Sequence, residues 1–196
     1  PVVILPGFPT SAIFTFHEFL APVIRAFAGQ PPERRHSVPA TLPMRVNSER
    51  GRTEYLLVGL VQGPDGYLAY PMGKGSGSVT TFSGADGFIT IDQHTEILDA
   101  GSPVAVTLLG EQLEPADLVI IGSHCVGLDL LVGKLTHQGI RTKLMIVGSQ
   151  GGLAAARRGE CEGAWRSRRL RSGPVSIHLR SSGRPEFSAA ISVRRR

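Results

Sequence analysis

The chain has little cysteine: Cys125 and Cys161 are the only two in 196 residues. Two cysteines do not make the disulfide framework of a small secreted domain, so a reducing, cytoplasmic setting is expected. Long apolar runs are missing too. No stretch approaches the roughly 18 residues a membrane-spanning helix needs. No basic start, apolar segment and small-residue cleavage site together mark a secretory leader. Several chemical signatures are also lacking. Gly73-Lys74-Gly75-Ser76 breaks the spacing of a P-loop, because a glycine follows the lysine. His17-Glu18 is followed by Ala21 where a zinc-protease helix needs its second histidine. His124, Cys125, His137 and Cys161 fit no standard zinc spacing. Acidic residues are scarce in one place. Residues 164–196 hold nine arginines against a single acid, Glu186, for a charge of +8 in a chain whose net charge is +5. The other 163 residues therefore carry −3, and any nucleic-acid reading rests on that tail alone.

What is present has the make-up of a globular protein, 41% hydrophobic and 19% charged, with length enough for one or two domains. Four segments differ in pattern. Residues 1–29 read as a strand, a stiff turn (Pro6-Gly7-Phe8-Pro9-Thr10-Ser11) and a helix. The helix carries Ile13, Phe16, Phe19, Leu20, Val23, Ile24 and Phe27 at spacings of three and four. Thr10 or Ser11 is the expected cap, Gly29 the stop, and Pro22 predicts a kink or break. Residues 30–112 switch to short β-like runs: "SVPATLPMRV", "RTEYLLVGLV", "GYLAYPM", "GFITID" and "SPVAVTLL". Gly63-Pro64-Asp65-Gly66 is a hairpin turn, and five such strands predict a small barrel or sandwich. Pro39, Pro43 and Pro71 push their strands toward edges. Asp86, Asp92 and Asp99 read as turn residues rather than a carboxylate pair.

Residues 113–163 change pattern again. "DLVIIGSH" and "KLMIVGSQ" are continuous apolar runs, as in strands buried on both faces, and each leads through Gly-Ser into a helix pattern. The order βαβα predicts a parallel sheet. Residues 164–196, dominated by Arg, Ser, Gly and Pro, read as a basic disordered tail. The fold class is thus α/β plus all-β.

Two places can carry chemistry. The opening turn sets backbone N–H groups and hydroxyls at a helix start, which favours anions, although a plain capped connection has the same look. In the βαβα segment, Ser123 and Ser149 each follow a parallel strand. Both hydroxyls are expected in one crevice at the carboxyl edge, suited to a small anion or polar solute.

"VVILPGFPTSAIFTFHEFLAPVIRAFAG" resembles the segment, roughly LPGNPVSA plus a helix, that ends the molybdopterin-binding domain of the molybdopterin molybdotransferase family (bacterial MoeA, eukaryotic gephyrin). There it leads into a small β-barrel. "RTEYLLVGLV", "GKGSGSVTTFSGADGFITI" and "LDAGSPVAVTLL" resemble strands and turns of that barrel, so the likeness covers about residues 1–110. It implies that Pro6, Pro9 and Ser11, with barrel residues Arg52 and Ser76, face the cofactor site. Lys74, in its glycine-rich turn, is a further candidate. Phe8 departs from the pattern, where the family usually has Asn. The implied activity is insertion of molybdate into adenylylated molybdopterin, assisted by Mg²⁺ whose acidic ligands lie outside this chain. The implied assembly is a homodimer, with Arg52 and Ser76 contributing only across the subunit boundary. On this reading the chain is an internal piece and inactive alone. Residues 113–163 resemble the first unit of a periplasmic-binding-protein-like fold, also seen in the sensing domain of LysR-type regulators. That implies the alternative, a non-catalytic small-anion or solute-binding, regulatory module. The change of composition near Glu162 reads either as a natural basic arm or as a departure of the reading frame.

Overall fold

The computed structural model describes residues 2–33, 35–73, 82, 84–110, 113, 116–161, 163–165, 175–179 and 187–191. The chain divides into two compact units, Pro1–Leu60 with Leu68–Leu113, and Val61–Tyr67 with Glu114–Arg196.

The first unit opens with a helical segment. Residues 2–6, expected as a strand, form none, and Val2 and Ile4 remain 92% and 89% exposed. A strand needs a neighbour to take its backbone hydrogen bonds, and no described residue pairs with this stretch. Helix α1 (Pro9–Thr15) passes into a π turn (Phe16–Leu20) and on into α2 (Ala21–Phe27). Pro22 explains the break. It has no N–H for the carbonyl of Glu18 and its ring crowds that carbonyl, so the ladder widens there and Ala21 N–H reaches back five residues to Phe16. The expected Thr10 or Ser11 cap is not formed. Pro9 takes the first helical position, which makes Phe8 the cap residue, with no side-chain hydrogen bond. Gly29, at φ +64°, closes α2: its N–H bonds Ala26, and that of Gln30 bonds Arg25.

The extra residue of the π turn rotates everything after it by about 100° relative to an unbroken helix. The apolar face expected of residues 13–27 is accordingly split. Phe14, outside the expected set, is the buried residue of α1, while Phe19, Val23, Ile24 and Phe27 are exposed.

The strands are β1 (Ser37–Thr41), β2 (Val46–Asn47), β3 (Glu54–Gly63), β4 (Gly66–Pro71), β5 (Gly87–Ile91), β6 (Ile97–Leu98) and β7 (Pro103–Leu108). Five close a barrel in the order β1-β4-β3-β5-β7, and β2 pairs β6 in a separate ribbon. Leu56 pairs with Ile89 and Val58 with Gly87, which puts them on the inner face with Leu60, Ile91 and Val106, all buried. Leu57 pairs with Phe88 on the outer face and packs against Phe14. Helical cover over that outer face explains why β3 is a continuous apolar run instead of an alternating one. Closure overturns the edge assignment of the prolines. Pro39 sits opposite Ala105 between two paired neighbours, and its ring is exposed; Pro71 only ends β4, and Pro43 lies outside the strands.

In the second unit β8 (Leu118–Gly122), α3 (Val126–His137), β9 (Thr142–Ile146), α4 (Gly148–Arg157) and β10 (Gly163–Trp165) follow one another. β8 runs parallel to both β9 and β10. Leu128 of α3 is fully buried on Ile120. A Cβ added at Gly152 would stand 2.4 Å from the Ile121 carbonyl oxygen, so only glycine lets α4 lie this close to β8. Asp117 accepts hydrogen bonds from the backbone N–H (2.9 Å), Nε (3.1 Å) and Nη2 (2.9 Å) of Arg141, joining the starts of the two strands.

The disordered reading of residues 164–196 fails for the part described. β11 (Val175–Leu179) pairs antiparallel with β10, and β12 (Phe187–Ile191) with β11, extending the sheet to the order β12-β11-β10-β8-β9. "VSIHL" alternates with a period of two, a strand signal hidden by the arginines around it. Among the described residues, no helix is long and apolar enough to cross a membrane.

Candidate functional site

In the first unit a cavity of about 730 Å³ opens between the helical segment and the start of β3. Phe8, Thr10, Ser11, Thr15 and Glu18 line it from one side; Glu49, Arg52, Thr53, Glu54 and Tyr55 line it from the other. The two walls are joined by Phe14. Its ring stacks on Tyr55 at 5.0 Å and meets Phe88 edge-on at 5.0 Å, with Phe82 at 6.0 Å.

The charged groups of the cavity have partners. Glu18 forms an ion pair with Arg35, whose Nη2 also donates to the His17 carbonyl at 3.1 Å. Glu54 accepts a hydrogen bond from the Ser48 hydroxyl at 2.7 Å. Arg52 pairs with Glu49, three residues earlier, and the two side chains are 66% and 72% exposed. Exposed pairs of this kind contribute about 0–1 kcal/mol, so Arg52 can exchange Glu49 for another anion at small cost. Burial, then the charge of Glu18, pushes the Tyr55 phenol up, against a smaller opposing effect of Arg35. Tyr55 therefore stays protonated at neutral pH and is available as a donor. The Thr10 hydroxyl oxygen is buried and has no hydrogen-bond partner among the described residues.

Two of the residues expected at a site, Ser11 and Arg52, line this cavity. Pro6 and Pro9 are not among its lining residues: Pro6 is exposed, and Pro9 is the first residue of α1. Lys74 and Ser76 lie outside the described residues. Glu18, Glu49, Glu54 and Tyr55 were not anticipated. The one available signal was the unbroken apolar run of β3, which demands a cover on its outer face and therefore a crevice beside it. Among the described residues there is no group of three or more His, Cys, Asp or Glu side chains placed to hold a metal ion.

In the second unit Ser123 and Ser149 also meet, their hydroxyl oxygens 2.6 Å apart, at the carboxyl ends of β8 and β9. His124 bonds both carboxylate oxygens of Asp129, at 3.0 and 2.9 Å. Cys125 and Cys161 form no disulfide.

The first unit thus holds most of a closed five-stranded barrel, with a short helical segment packed on its outer face and a polar cavity at their junction. Its sequence is more specific. Residues 39–109, from the middle of β1 to the end of β7, match the family described as the MoeA C-terminal region (domain IV). Among solved structures, a molybdopterin biosynthesis MoeA protein of Pyrococcus horikoshii is 38% identical over 55% of this chain and 26% of its own, with a TM-score of 0.44. A second such structure, from strain OT3, is 24% identical over 52% and 26%, also at 0.44. A molybdenum cofactor biosynthesis protein of Pyrococcus furiosus is 27% identical over 52% and 36%, again at 0.44. The chain thus spans between about a quarter and a third of these proteins. No curated protein matches it.

Proposed function

We propose that the chain serves molybdenum cofactor biosynthesis, as the barrel-bearing part of a molybdopterin molybdotransferase that inserts molybdate into adenylylated molybdopterin. Arg52 is the observation that carries this reading. It lies in the stretch that matches the MoeA C-terminal region, and it lines the same cavity as Ser11. A guanidinium forks onto the oxygens of molybdate or phosphate, and hydroxyls donate to the oxygens it leaves. Phe8, Phe14 and Tyr55 supply apolar surface of the kind a flat heterocycle packs against. Catalysis needs more than these groups, so the chain alone binds oxyanion without turnover, and the complete protein works as a cytoplasmic homodimer with magnesium. The test is calorimetric titration with molybdate. Arg52→Ala is expected to weaken binding by roughly 1–3 kcal/mol, the loss of a charge-assisted hydrogen bond. Unchanged affinity counts against the assignment.

A second reading belongs to the other unit. The Ser123–Ser149 contact at the carboxyl edge of parallel strands supports a small-anion or solute site of the periplasmic-binding-protein type. Ser149→Ala is then expected to abolish a molybdate or sulfate signal that Arg52→Ala leaves intact.

A further inference from the structure

Given the reading of the cavity as a molybdenum-cofactor site, we infer that Phe8 is the platform on which the ligand's flat ring stacks. Phe8 thereby gives the helical wall a preference for an anion carried on a fused heterocycle over a bare oxyanion. This role asks nothing of Arg52 and holds whichever chain supplies the wall opposite.

Folding gives no reason for a phenylalanine at this position. The Phe8 backbone is that of a helix cap, with φ −83° and ψ 127°, and its carbonyl accepts the Ala12 N–H at 2.9 Å. Asn, Asp or Ser in such a place bonds a free N–H of the first turn, a stabilisation that an apolar residue forgoes. Phe8 makes no side-chain cap bond, and its ring is 61% exposed, so burial does not make up the loss. The residue nevertheless lines the cavity. Of the other rings there, Phe14 is enclosed by Tyr55, Phe82 and Phe88, and Tyr55 has one face covered by Phe14. Phe8 has no ring contact among the described residues, which leaves its face open to a ligand. Phe19 is exposed too, but it stands about 12 Å along the helix from Ser11. Phe8 lies three residues before Ser11, the spacing at which a cap side chain and the first turn stand side by side. A ring stacked on Phe8 therefore brings its anionic substituent toward the Ser11 hydroxyl.

Three substitutions test this. Phe8→Asn, Phe8→Leu and Phe8→Tyr are made in the full 196-residue chain and titrated calorimetrically with pterin-6-carboxylate, adenosine monophosphate and sodium molybdate. The first two probes carry an anion on a fused ring, one a pterin and the other a purine; the third has no ring. Wild type and Phe8→Tyr are expected to bind at least one ring probe alike, and which one they bind identifies the ring. In Phe8→Asn and Phe8→Leu the affinity for that probe, taken relative to molybdate, is expected to fall about five- to a hundredfold. Phe8→Asn is also expected to melt about 2–4 °C higher, because it completes the cap. Ring binding by Phe8→Leu at wild-type strength overturns the inference. So does a Phe8→Asn chain that melts no higher than wild type, since the ring would then be serving the fold. A wild-type chain that takes up molybdate and neither ring probe overturns the inference alone. One that takes up none of the three overturns the reading of the cavity with it.

Discussion

Phe14 lies flat on Tyr55, ring centroids 5.0 Å apart and planes 13° from parallel. One ring comes from the helical segment and the other from the start of β3, so this contact joins the two walls of the cavity. Phe88 meets both rings edge-on, which completes a cluster with favourable quadrupole geometry.

Phe14→Ala should therefore cost more than an average buried substitution. Truncating a buried phenylalanine typically costs about 3–5 kcal/mol. Urea denaturation is expected to show a loss near the lower figure, and limited proteolysis to cut first within residues 9–29. Wild-type resistance to both would mean that the helical segment is held by something other than this ring.

Thr10→Val is expected to act in the opposite direction. A buried hydroxyl without a partner costs about 1–3 kcal/mol, and valine keeps its shape. The free protein should melt higher. A lower melting temperature would show that the hydroxyl has a partner in solution.

Glu49→Gln should tighten molybdate binding. Glu49 competes with the ligand for Arg52, in an exposed pair worth about 0.2–1 kcal/mol. Removing the competitor predicts a gain of up to about fivefold. A weaker complex would mean that Glu49 orients Arg52 instead of competing for it.

Asp117 supplies an acid-sensitive contact in the second unit. The side-chain hydrogen bonds of Arg141, and then its backbone N–H, pull the Asp117 carboxyl down to about 2. A carboxylate with a lower pKa folded than unfolded stabilises the fold above the unfolded value. That contribution is lost as the pH falls through the folded one. Stability is expected to decline between about pH 4 and pH 2, and Asp117→Asn to flatten that part of the curve. Superimposable wild-type and variant curves in that window would remove the pair from the pH response.

The five barrel strands and the βαβα order were legible because their signals are local. Gly63-Pro64-Asp65-Gly66 turns wherever it sits, and "DLVIIGSH" is too apolar to face water on either side. The split of the first helix was half legible. Pro22 announced a break, but the resulting phase shift, which buries Phe14 and exposes Phe19, follows from how the ladder widened. The tail misled because composition was weighed over pattern: "VSIHL" and "FSAAI" are five-residue strands set among arginines.

The sequence by itself determined the succession of elements, because turn chemistry and periodicity are properties of short stretches, and it offered Ser11 and Arg52 only through the family resemblance. Tertiary structure alone decided that the sheet closes, that Phe14 is the anchor, and that Glu18, Glu49 and Glu54 share a cavity with those two residues. These are contacts between positions as far apart in sequence as Phe14 and Phe88, or Ser37 and Thr107. They depend on how the strands pair and how the helix is phased, which no local pattern encodes.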